Sequence, residues 1–378
     1  MSKAKSKARV LHVLIPGFCG PLFNPGQLEQ HEEAVMVLRS WLDRLARSRV
    51  RNVRLNYLVN LYRLLGFSLE GFSGVPTAAF RLCSTSATGL SHTGLSDTNF
   101  SDNVMHADPV HLQADMDHAI MTSPVELDLF EHHATELIEK LNSTFADDGI
   151  SFFRLKSGEW FVTAPGSIDL QTTPLSESVG RNVNHLLPSG ADSEYWKRLL
   201  TEVQMVLFNH EINDEREARG LARINSLWFH GNGVLPDRGE HDARCVFSDD
   251  PVVLGMADYA GVQSYYCDRT RPETARSCFE HVQSTIMQGP AGDYIFKVSS
   301  LQDLVNYTDV TPWLAQVNVL IENWLEPLLA FAHEQGVTFR FYPENDRVYQ
   351  IGKYDGLRVW KSAQLYDFVQ GFSAGRYD

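Results

Sequence analysis

The chain has 378 residues, of which 43% are hydrophobic and 21% charged; this balance is that of a folded globular protein and excludes global disorder. Its formal net charge of −14 argues against a nucleic-acid partner, because neutralising phosphates requires a basic surface. The length accommodates one large domain or two modest ones with buried cores.

The cysteines and the apolar segments bear on the cellular compartment. The five cysteines are widely spaced and include no C-x-x-C pair; they are Cys19, Cys83, Cys245, Cys267 and Cys278. This spacing predicts ordinary thiols in a reducing compartment rather than a disulfide framework or a zinc site. The apolar run at residues 10–15 is too short for a membrane span or a signal peptide. We therefore predict a cytoplasmic protein with no membrane partner.

Strands and helices alternate from the start of the chain. Residues 9–15 are β-branched and apolar and predict a buried strand. Apolar residues at three-to-four spacing predict a helix over about 34–45. A further helix is predicted to begin at Ser123, because Pro124 suits its first position and Glu126 completes a capping box.

The second half of the chain continues this alternation. A helix is predicted over residues 192–209, and another begins at residues 311–312 and is kinked or ended by Pro327. Strands are predicted at 152–155, 160–163, 225–233, 251–255, 294–298, 337–342 and 347–351. This order favours a mostly parallel α/β sheet covered on both faces, with residues 105–215 as a smaller α+β insert.

The densest polar cluster is HADPVHLQADMDH, residues 106–118. Aspartate and histidine at this spacing are typical metal ligands, and Asp108 and His111 are the alternative metal ligands that we select. A strand–turn–strand is the favoured interpretation, because an extended strand sends alternate side chains to opposite faces and few of these groups can converge. The neighbouring His132 and His133 are interpreted as surface histidines without a role.

Two segments predict contact with an anion. Gly231 and Gly233 follow His230 at the end of a strand, and a Gly-x-Gly turn lets the backbone approach an anion closely, although an ordinary tight turn has the same sequence. Arg216 stands three residues after Asn213, and its guanidinium would bind a carboxylate or phosphate; a surface salt bridge is the alternative.

Three segments carry a resemblance to known families: DPVHLQAD, TPLSESVGRNVNHLLPSG and EVQMVLFNHEINDEREARGLARINSLWFHGNG. In this order they resemble bacterial regulatory proteins of the RpfE type, over nearly the whole chain. More distantly they resemble the archaeal-type cofactor-independent phosphoglycerate mutases of the alkaline phosphatase superfamily. Asn213 and Arg216 match the N-x-x-R of these mutases, and residues 225–233 match a strand ending R-G-x-G, with His230 replacing the arginine.

The resemblance implies an alkaline-phosphatase-like three-layer α/β/α sandwich with a smaller inserted α+β domain. Residues 1–104 and 216–378 would form the core domain, and residues 105–215 the insert. Chemistry of the mutase type needs two divalent metals, a nucleophilic serine or threonine, and aspartate and histidine ligands.

The sequence departs from this pattern at four places. The first strand ends at Pro16 instead of an aspartate, and Tyr57 stands about where the nucleophilic hydroxyl belongs. Tyr307 replaces the histidine of a D-x-x-x-H pair that begins at Asp303, and residues 343–346 offer no Asp-His pair. Proline and phenol cannot replace carboxylate and imidazole as ligands, so the resemblance predicts that a two-metal site does not assemble.

We therefore predict a non-catalytic regulatory protein without catalytic residues or a cofactor, which binds a phosphorylated small molecule or a regulatory protein. Its predicted anion-binding residues are Asn213, Arg216, His230, Gly231 and Gly233. The alternative is an active metal-dependent phosphoglycerate mutase or phosphomonoesterase that holds Mn²⁺ or Zn²⁺ through Asp108 and His111. A third hypothesis is a protein-interaction module acting through the aromatic C-terminal segment, residues 360–377.

Overall fold

The computed structural model describes residues 8–20, 31–53, 57–70, 74–84, 103–115, 118–122, 127–268, 272–306 and 310–357. The strands are β1 (Arg9–Leu14), β2 (Arg49–Asn52), β3 (Val104–Asp115), β4 (His118–Thr122), β5 (Ser151–Arg154), β6 (Trp160–Thr163), β7 (Ser226–His230), β8 (Ala243–Ser248), β9 (Gln263–Tyr266), β10 (Gly292–Lys297), β11 (Thr338–Tyr342) and β12 (Arg347–Ile351). The helices are α1 (Glu32–Arg47), α2 (Tyr57–Leu64), α3 (Thr77–Cys83), α4 (Glu131–Phe145), α5 (Leu175–Ser178), α6 (Ser193–Phe208), α7 (Glu211–Ala218), α8 (Pro251–Ala260), α9 (Pro272–Gln288), α10 (Val310–Leu320) and α11 (Glu326–Glu334). In these described segments we find no helix with the length and apolar character that a bilayer crossing requires.

The chain divides into two compact units. The core unit comprises Met1–Ser68 and Arg238–Asp378, and the inserted unit comprises Leu69–Asp237. The inserted unit is larger than the predicted residues 105–215 because it includes two further elements. Helix α3 packs on β3, and β7 pairs with β3 in antiparallel register.

The core unit is built on a seven-stranded sheet in the order β2-β12-β11-β1-β10-β8-β9. The five strands from β11 to β9 are parallel, and β12 and β2 are antiparallel. Leu11 and Val13 belong to a hydrophobic cluster with residues of α1, α9, α10 and α11. On the opposite face of the same strand, His12 and Leu14 are also fully buried. Burial on both faces is what a parallel sheet requires, and it confirms the predicted α/β class.

The inserted unit has a five-stranded antiparallel sheet in the order β4-β3-β6-β5, with β7 also paired to β3. Helices α4 and α6 pack on one face of this sheet through an apolar cluster that includes Leu137, Leu141, Leu199 and Val203. The α+β character predicted for the insert is therefore observed, and the hairpin of β3 and β4 is the predicted strand–turn–strand of residues 106–118.

Three predicted elements differ in the structure. Residues 251–255 were expected as a strand but open helix α8, because Asp250 accepts a hydrogen bond from the Val252 N–H at 2.9 Å and Pro251 fits the first turn. Residues 225–233 were expected in the core sheet, but β7 belongs to the inserted sheet. Helix α4 begins at Glu131, and the predicted capping box at 123–126 lies outside the described residues.

Pro327 disturbs its helix as predicted, and the structure shows how. Between α10 and α11 the chain makes one π-helical turn, Ile321–Leu325, in which the Glu326 N–H donates to the Ile321 carbonyl. A proline has no N–H, and its ring clashes with the carbonyl four residues earlier in a regular α-helix. The wider turn just before Pro327 lets the helix continue to Glu334 instead of ending.

The prediction of five ordinary thiols is wrong for two of the cysteines. Cys267 and Cys278 form a disulfide with their Cα atoms 5.6 Å apart, which links the end of β9 to α9. The other three cysteines remain thiols. Spacing along the chain did not indicate this pair, because the two cysteines are 11 positions apart and come within bonding distance only in the folded chain.

A count of reactive thiols tests this pairing. In the denatured, unreduced protein we expect three thiols per chain to react with a chromogenic disulfide reagent, and five after reduction. The variant Cys278→Ala should show four without reduction, because Cys267 is released. Five reactive thiols in the unreduced parent protein would contradict the pairing.

Candidate functional site

The parallel strands of the core sheet bring several polar residues to one edge. Strands β1, β8, β10 and β11 all end there, and open α/β sheets usually bind ligands beyond the carboxyl ends of their strands. After β1, the Gly17 N–H donates to Oε2 of Glu344, which follows β11, at 3.1 Å. After β10, the Ser299 N–H donates to both carboxylate oxygens of Asp249, which follows β8, at 3.0 and 3.3 Å.

Lys297, the last residue of β10, is fully buried at this edge. Its Nζ lies 2.5 Å from Oδ2 of Asp250 and also donates to Oγ of Ser299. The same ammonium lies 5.1 Å from the centre of the Tyr57 ring. An internal cation therefore lies among the acidic and phenolic side chains of the edge.

The electrostatics keep this lysine charged and the tyrosine neutral. Burial alone would lower the pKa of Lys297, but the charge of Asp250 and the neighbouring Tyr57 offset burial, and the pKa is raised. Burial opposes ionisation of Asp250 as well, yet Lys297 holds the pKa of its carboxyl below the ordinary value. Burial raises the pKa of Tyr57 to about 12, although Lys297 acts in the opposite direction. Tyr57 thus stays a phenol at neutral pH.

The residues that the resemblance places at a metal site do not gather ligands here. Tyr57 does reach the edge, where its hydroxyl accepts a hydrogen bond from Gln302 at 3.4 Å. Asp303 begins a short 3₁₀ turn, and Tyr307 lies outside the described residues. Within the described part of the core unit, no three histidine, cysteine or acidic side chains place their ligand atoms within 4.8 Å of one another.

Asn213 and Arg216, predicted to contact an anion, are both fully buried in the inserted unit. The Asn213 amide donates to the carbonyls of Leu207 and Ile224 at 2.7 and 2.9 Å and accepts from the Ile224 N–H at 2.7 Å. The Arg216 guanidinium donates to the carbonyls of Ala222, Asp128 and Leu127. The geometry gives both residues a structural role, since their donors already bind backbone oxygens instead of facing an anion.

The predicted Gly-x-Gly turn approaches the protein itself. Gly231 has φ +73°, and a Cβ there would lie 2.0 Å from Oγ1 of Thr77, at the start of α3. Its carbonyl accepts a hydrogen bond from the Ala78 N–H at 3.0 Å. A Cβ on Gly233, at φ +141°, would lie 3.3 Å from Pro76. The two glycines therefore allow the chain that follows β7 to pass close to the segment that begins α3.

His230 belongs to a cluster with His106 and Asp108, which sequence reasoning did not assemble. His106 and His230 stand opposite each other in the antiparallel pair of β3 and β7, and Asp108 lies two residues further along β3 on the same face. Nε2 of His230 is 2.7 Å from Oδ2 of Asp108, and the two imidazoles stack with centroids 4.7 Å apart. The three ligand atoms lie within 4.8 Å of one another.

The alternative metal pair Asp108 and His111 is not brought together. His111 is three residues from Asp108 along a strand and therefore lies on the other face of the sheet. Its Nδ1 is 2.8 Å from the carbonyl of Arg223. Of the 106–118 segment, residues 116–117 lie outside the described residues.

Burial governs the protonation of the cluster. Desolvation, together with the charge of His230, lowers the pKa of His106 to about 4, while Asp108, Glu159 and a hydrogen bond to the main chain of Thr77 partly offset it. Glu159 is itself paired with Arg81 through bonds of 2.6 and 2.8 Å. His106 is therefore neutral at pH 7.

A second group of possible ligands comprises His132, His133 and Glu215. The prediction of two surface histidines is wrong for His133, which is fully buried. Its Nδ1 lies 3.4 Å from Nη1 of Arg216, and Glu215 pairs with Arg219 at 2.7 Å. The two guanidinium groups would repel a metal ion from this group.

Comparison with known proteins identifies distant relatives. No family model matches the chain. The 2,3-bisphosphoglycerate-independent phosphoglycerate mutase 2 of Methanothermobacter thermautotrophicus is 25% identical over 195 residues, 45% of this chain and 48% of that protein. The corresponding mutase of Methanosarcina mazei is 28% identical over 193 residues, 44% of this chain and 48% of that protein. The chain thus spans about half the length of the curated relatives it matches, and it shows distant homology to archaeal-type cofactor-independent phosphoglycerate mutases.

Two solved structures are also similar. A cofactor-independent phosphoglycerate mutase from Thermoplasma acidophilum aligns with a TM-score of 0.43 and 13% identity, over 97% of this chain and 99% of that one. A protein from Pyrococcus horikoshii aligns with a TM-score of 0.49 and 13% identity, over 92% of this chain and 88% of that one.

The buried ion pair of the core unit can be tested by a double-mutant cycle. Lys297→Met and Asp250→Asn should each destabilise the protein by roughly 3–5 kcal/mol, because each leaves a buried charge unpaired. The double variant should lose less than the sum, since neither charge then remains and asparagine still caps α8. Urea unfolding of the four proteins measures the coupling energy.

The matched control for this cycle is the exposed pair of Arg44 and Glu326, whose side chains are 39% and 36% exposed. Glu326→Gln should change the stability by less than ~1 kcal/mol. Additive effects of Lys297→Met and Asp250→Asn would contradict the coupling.

The lowered pKa of Asp250 also sets the pH dependence of stability. The contribution of the Asp250 carboxylate to the free energy of unfolding is present above its unfolded pKa of about 3.9, and it is lost as the pH falls through its lower pKa in the folded protein.

Removing the Arg216 guanidinium should destabilise the inserted unit. Arg216→Met leaves the carbonyls of Leu127 and Ala222 without their donor, and we expect a loss of roughly 3 kcal/mol in urea unfolding. Arg219→Met is the control, because Arg219 is 52% exposed and its ion pair is worth less than ~1 kcal/mol. Equal stability of the two variants would count against the structural role.

Proposed function

We propose that this chain is a non-catalytic phosphoglycerate-mutase-like protein with a regulatory or metabolite-binding role, of the RpfE type. The single observation that carries the proposal is the ammonium of Lys297, which lies 2.5 Å from Asp250 at the carboxyl edge of the core sheet. The distant homology to archaeal mutases supports the mutase-like part.

Metal-dependent phosphoryl transfer needs cations that activate a hydroxyl and neutralise the charge of the transferring group. A lysine ammonium neutralises acidic side chains, but it has no lone pair to accept a proton from a hydroxyl. Unlike a metal ion, it also has no open coordination position at which to bind a hydroxyl oxygen. Like charges close together repel, so a divalent cation beside Lys297 is disfavoured. Burial raises the pKa of Tyr57 to about 12, so its phenol would need a metal ion or a base to act as a nucleophile.

The ligand class that this proposal favours is a phosphorylated small molecule that is bound and not converted. The names of the relatives connect their active sites with phosphoglycerate. Of the residues predicted to contact an anion, His230 is the one whose side chain keeps some solvent access, 12%. A regulatory protein partner is the other expected ligand class, but the aromatic segment 360–377 lies outside the described residues.

The alternative function, an active mutase or phosphomonoesterase using Mn²⁺ or Zn²⁺, makes the opposite prediction in one assay. The purified full chain, with Mn²⁺ or Zn²⁺ added, is assayed for interconversion of 2- and 3-phosphoglycerate and for hydrolysis of an aryl phosphate. We expect no turnover above the buffer background. The Methanosarcina mazei mutase, assayed in parallel, is the positive control.

Metal-dependent turnover above the buffer background would overturn the proposal. Calorimetry with 3-phosphoglycerate then separates the two parts of it. Binding without turnover supports a metabolite-binding protein. If neither binding nor turnover is observed, the small-molecule part of the proposal is removed and a role through a protein partner is left.

A further inference from the structure

We propose that His106, Asp108 and His230 form a binding site for one divalent cation of the Zn²⁺ class. The site lies in the inserted unit, and it does not depend on the function proposed for the core unit. Its basis is the convergence of two imidazole nitrogens and one carboxylate oxygen within 4.8 Å of one another.

The three side chains are held by regular structure. All three project from strands that pair in antiparallel register, with His106 opposite His230. Ligands on paired strands keep their separation better than ligands on loops. Gly231, at φ +73°, ends β7 in a conformation that a residue with a Cβ could not adopt here, because that atom would lie 2.0 Å from Thr77. This close contact fixes the end of β7 next to the ligands.

The ligand groups of the cluster already face one another. Nε2 of His230 lies 2.7 Å from Oδ2 of Asp108, and the rings of His106 and His230 stack with centroids 4.7 Å apart. A metal ion that takes the place of the proton between His230 and Asp108 would bind these same two atoms, because a metal ligand must be deprotonated.

The donor set determines the kind of cation. Two imidazoles and one carboxylate suit Zn²⁺ and related transition metals, whereas Mg²⁺ and Ca²⁺ prefer oxygen ligands alone. Three protein ligands leave one position for water or an anion such as phosphate. The side chains of Asp108 and His230 are 16% and 12% exposed, so solvent reaches the group.

The charge of Glu159 acts on His106, and this carboxylate is itself bound to a cationic side chain. Arg81 makes a two-point contact with Glu159 at 2.6 and 2.8 Å, which ties its charge to that carboxylate. The group of His132, His133 and Glu215 differs in this respect, because Arg216 and Arg219 contact its members directly.

Zinc titration of the metal-stripped full chain tests the proposal. We expect calorimetry to give one equivalent of Zn²⁺ per chain, and Co²⁺ to give the intense visible absorption of a four-coordinate ion. His230→Gln and Asp108→Asn should each weaken Zn²⁺ affinity by more than ~100-fold, since loss of a direct ligand exceeds the effect of losing a supporting contact.

The control is His111→Gln, which changes a histidine of the same strand on its other face and should leave the Zn²⁺ affinity unchanged. His132→Gln serves the same purpose for the second histidine group. Asp108→Asn keeps the size and shape of the side chain, and circular dichroism checks that each variant is folded.

Absence of stoichiometric Zn²⁺ binding by the parent protein would overturn the proposal, as would an affinity that is unchanged in His230→Gln and Asp108→Asn. Zn²⁺ binding that survives these changes but is lost in Asp250→Asn would place the cation at the core edge. That result would also overturn the function proposed above. Loss of Zn²⁺ binding in His230→Gln but not in Asp250→Asn leaves the proposed function intact.

Discussion

The buried ammonium of Lys297 is the constraint on which the core edge depends. A lysine without hydration stays charged only if neighbouring groups compensate, and here Asp250 does so at 2.5 Å. The same carboxylate accepts the Val252 N–H at the start of α8, so one side chain joins β10 to the helix that follows β8. The carboxylate of Asp250 is therefore committed to an internal cation, and a cation from solution would have to compete with it.

The resemblance in residues 202–233 has a structural explanation in the inserted unit. Asn213 and Arg216 together satisfy carbonyls of Leu207, Ile224, Ala222 and the segment before α4. The N-x-x-R motif thus holds α7 to the chain that enters β7. A motif with this role is compatible with any activity, because it stabilises the framework and does not contact a reacting group. Similarity in this stretch is therefore evidence about the fold and says little about chemistry.

Local patterns predicted most elements, and the failures have identifiable causes. Strands β1, β10, β11 and β12 and the helix at 192–209 follow from apolar periodicity, and α6 is found at Ser193–Phe208. The core strands β2, β8 and β9 were not predicted. The segment 251–255 is apolar and β-branched, and periodicity alone cannot distinguish a short buried strand from a buried helix. The decisive signal was the Asp250-Pro251 start, which the apolar run obscured.

The His106 cluster could be predicted only in part. Alternation along β3 places His111 on the face opposite Asp108, which is a local argument available from the sequence. The contact between His230 and Asp108 joins residues 122 positions apart and depends on the register of β3 with β7. No local pattern specifies that register, and the Gly-x-Gly turn after β7 suggested an anion site in its place. The same limit applies to the disulfide of Cys267 and Cys278.

The core unit pairs a carboxylate with an internal ammonium, whereas the inserted unit offers its ligand groups to a metal ion. Binding of a metal by this chain is therefore a separate question from phosphoryl transfer. In the core unit, the carboxylate of Asp250 pairs with an ammonium; in the inserted unit, two imidazoles and a carboxylate place their ligand atoms within 4.8 Å of one another. A two-metal mechanism clamps the attacking and leaving oxygens between ions roughly 4 Å apart. The three donors of His106, Asp108 and His230 suffice for one ion only. One ion held there does not by itself supply the second metal and the activated hydroxyl that such transfer requires, so a metal site in the inserted unit is compatible with the proposed non-catalytic core.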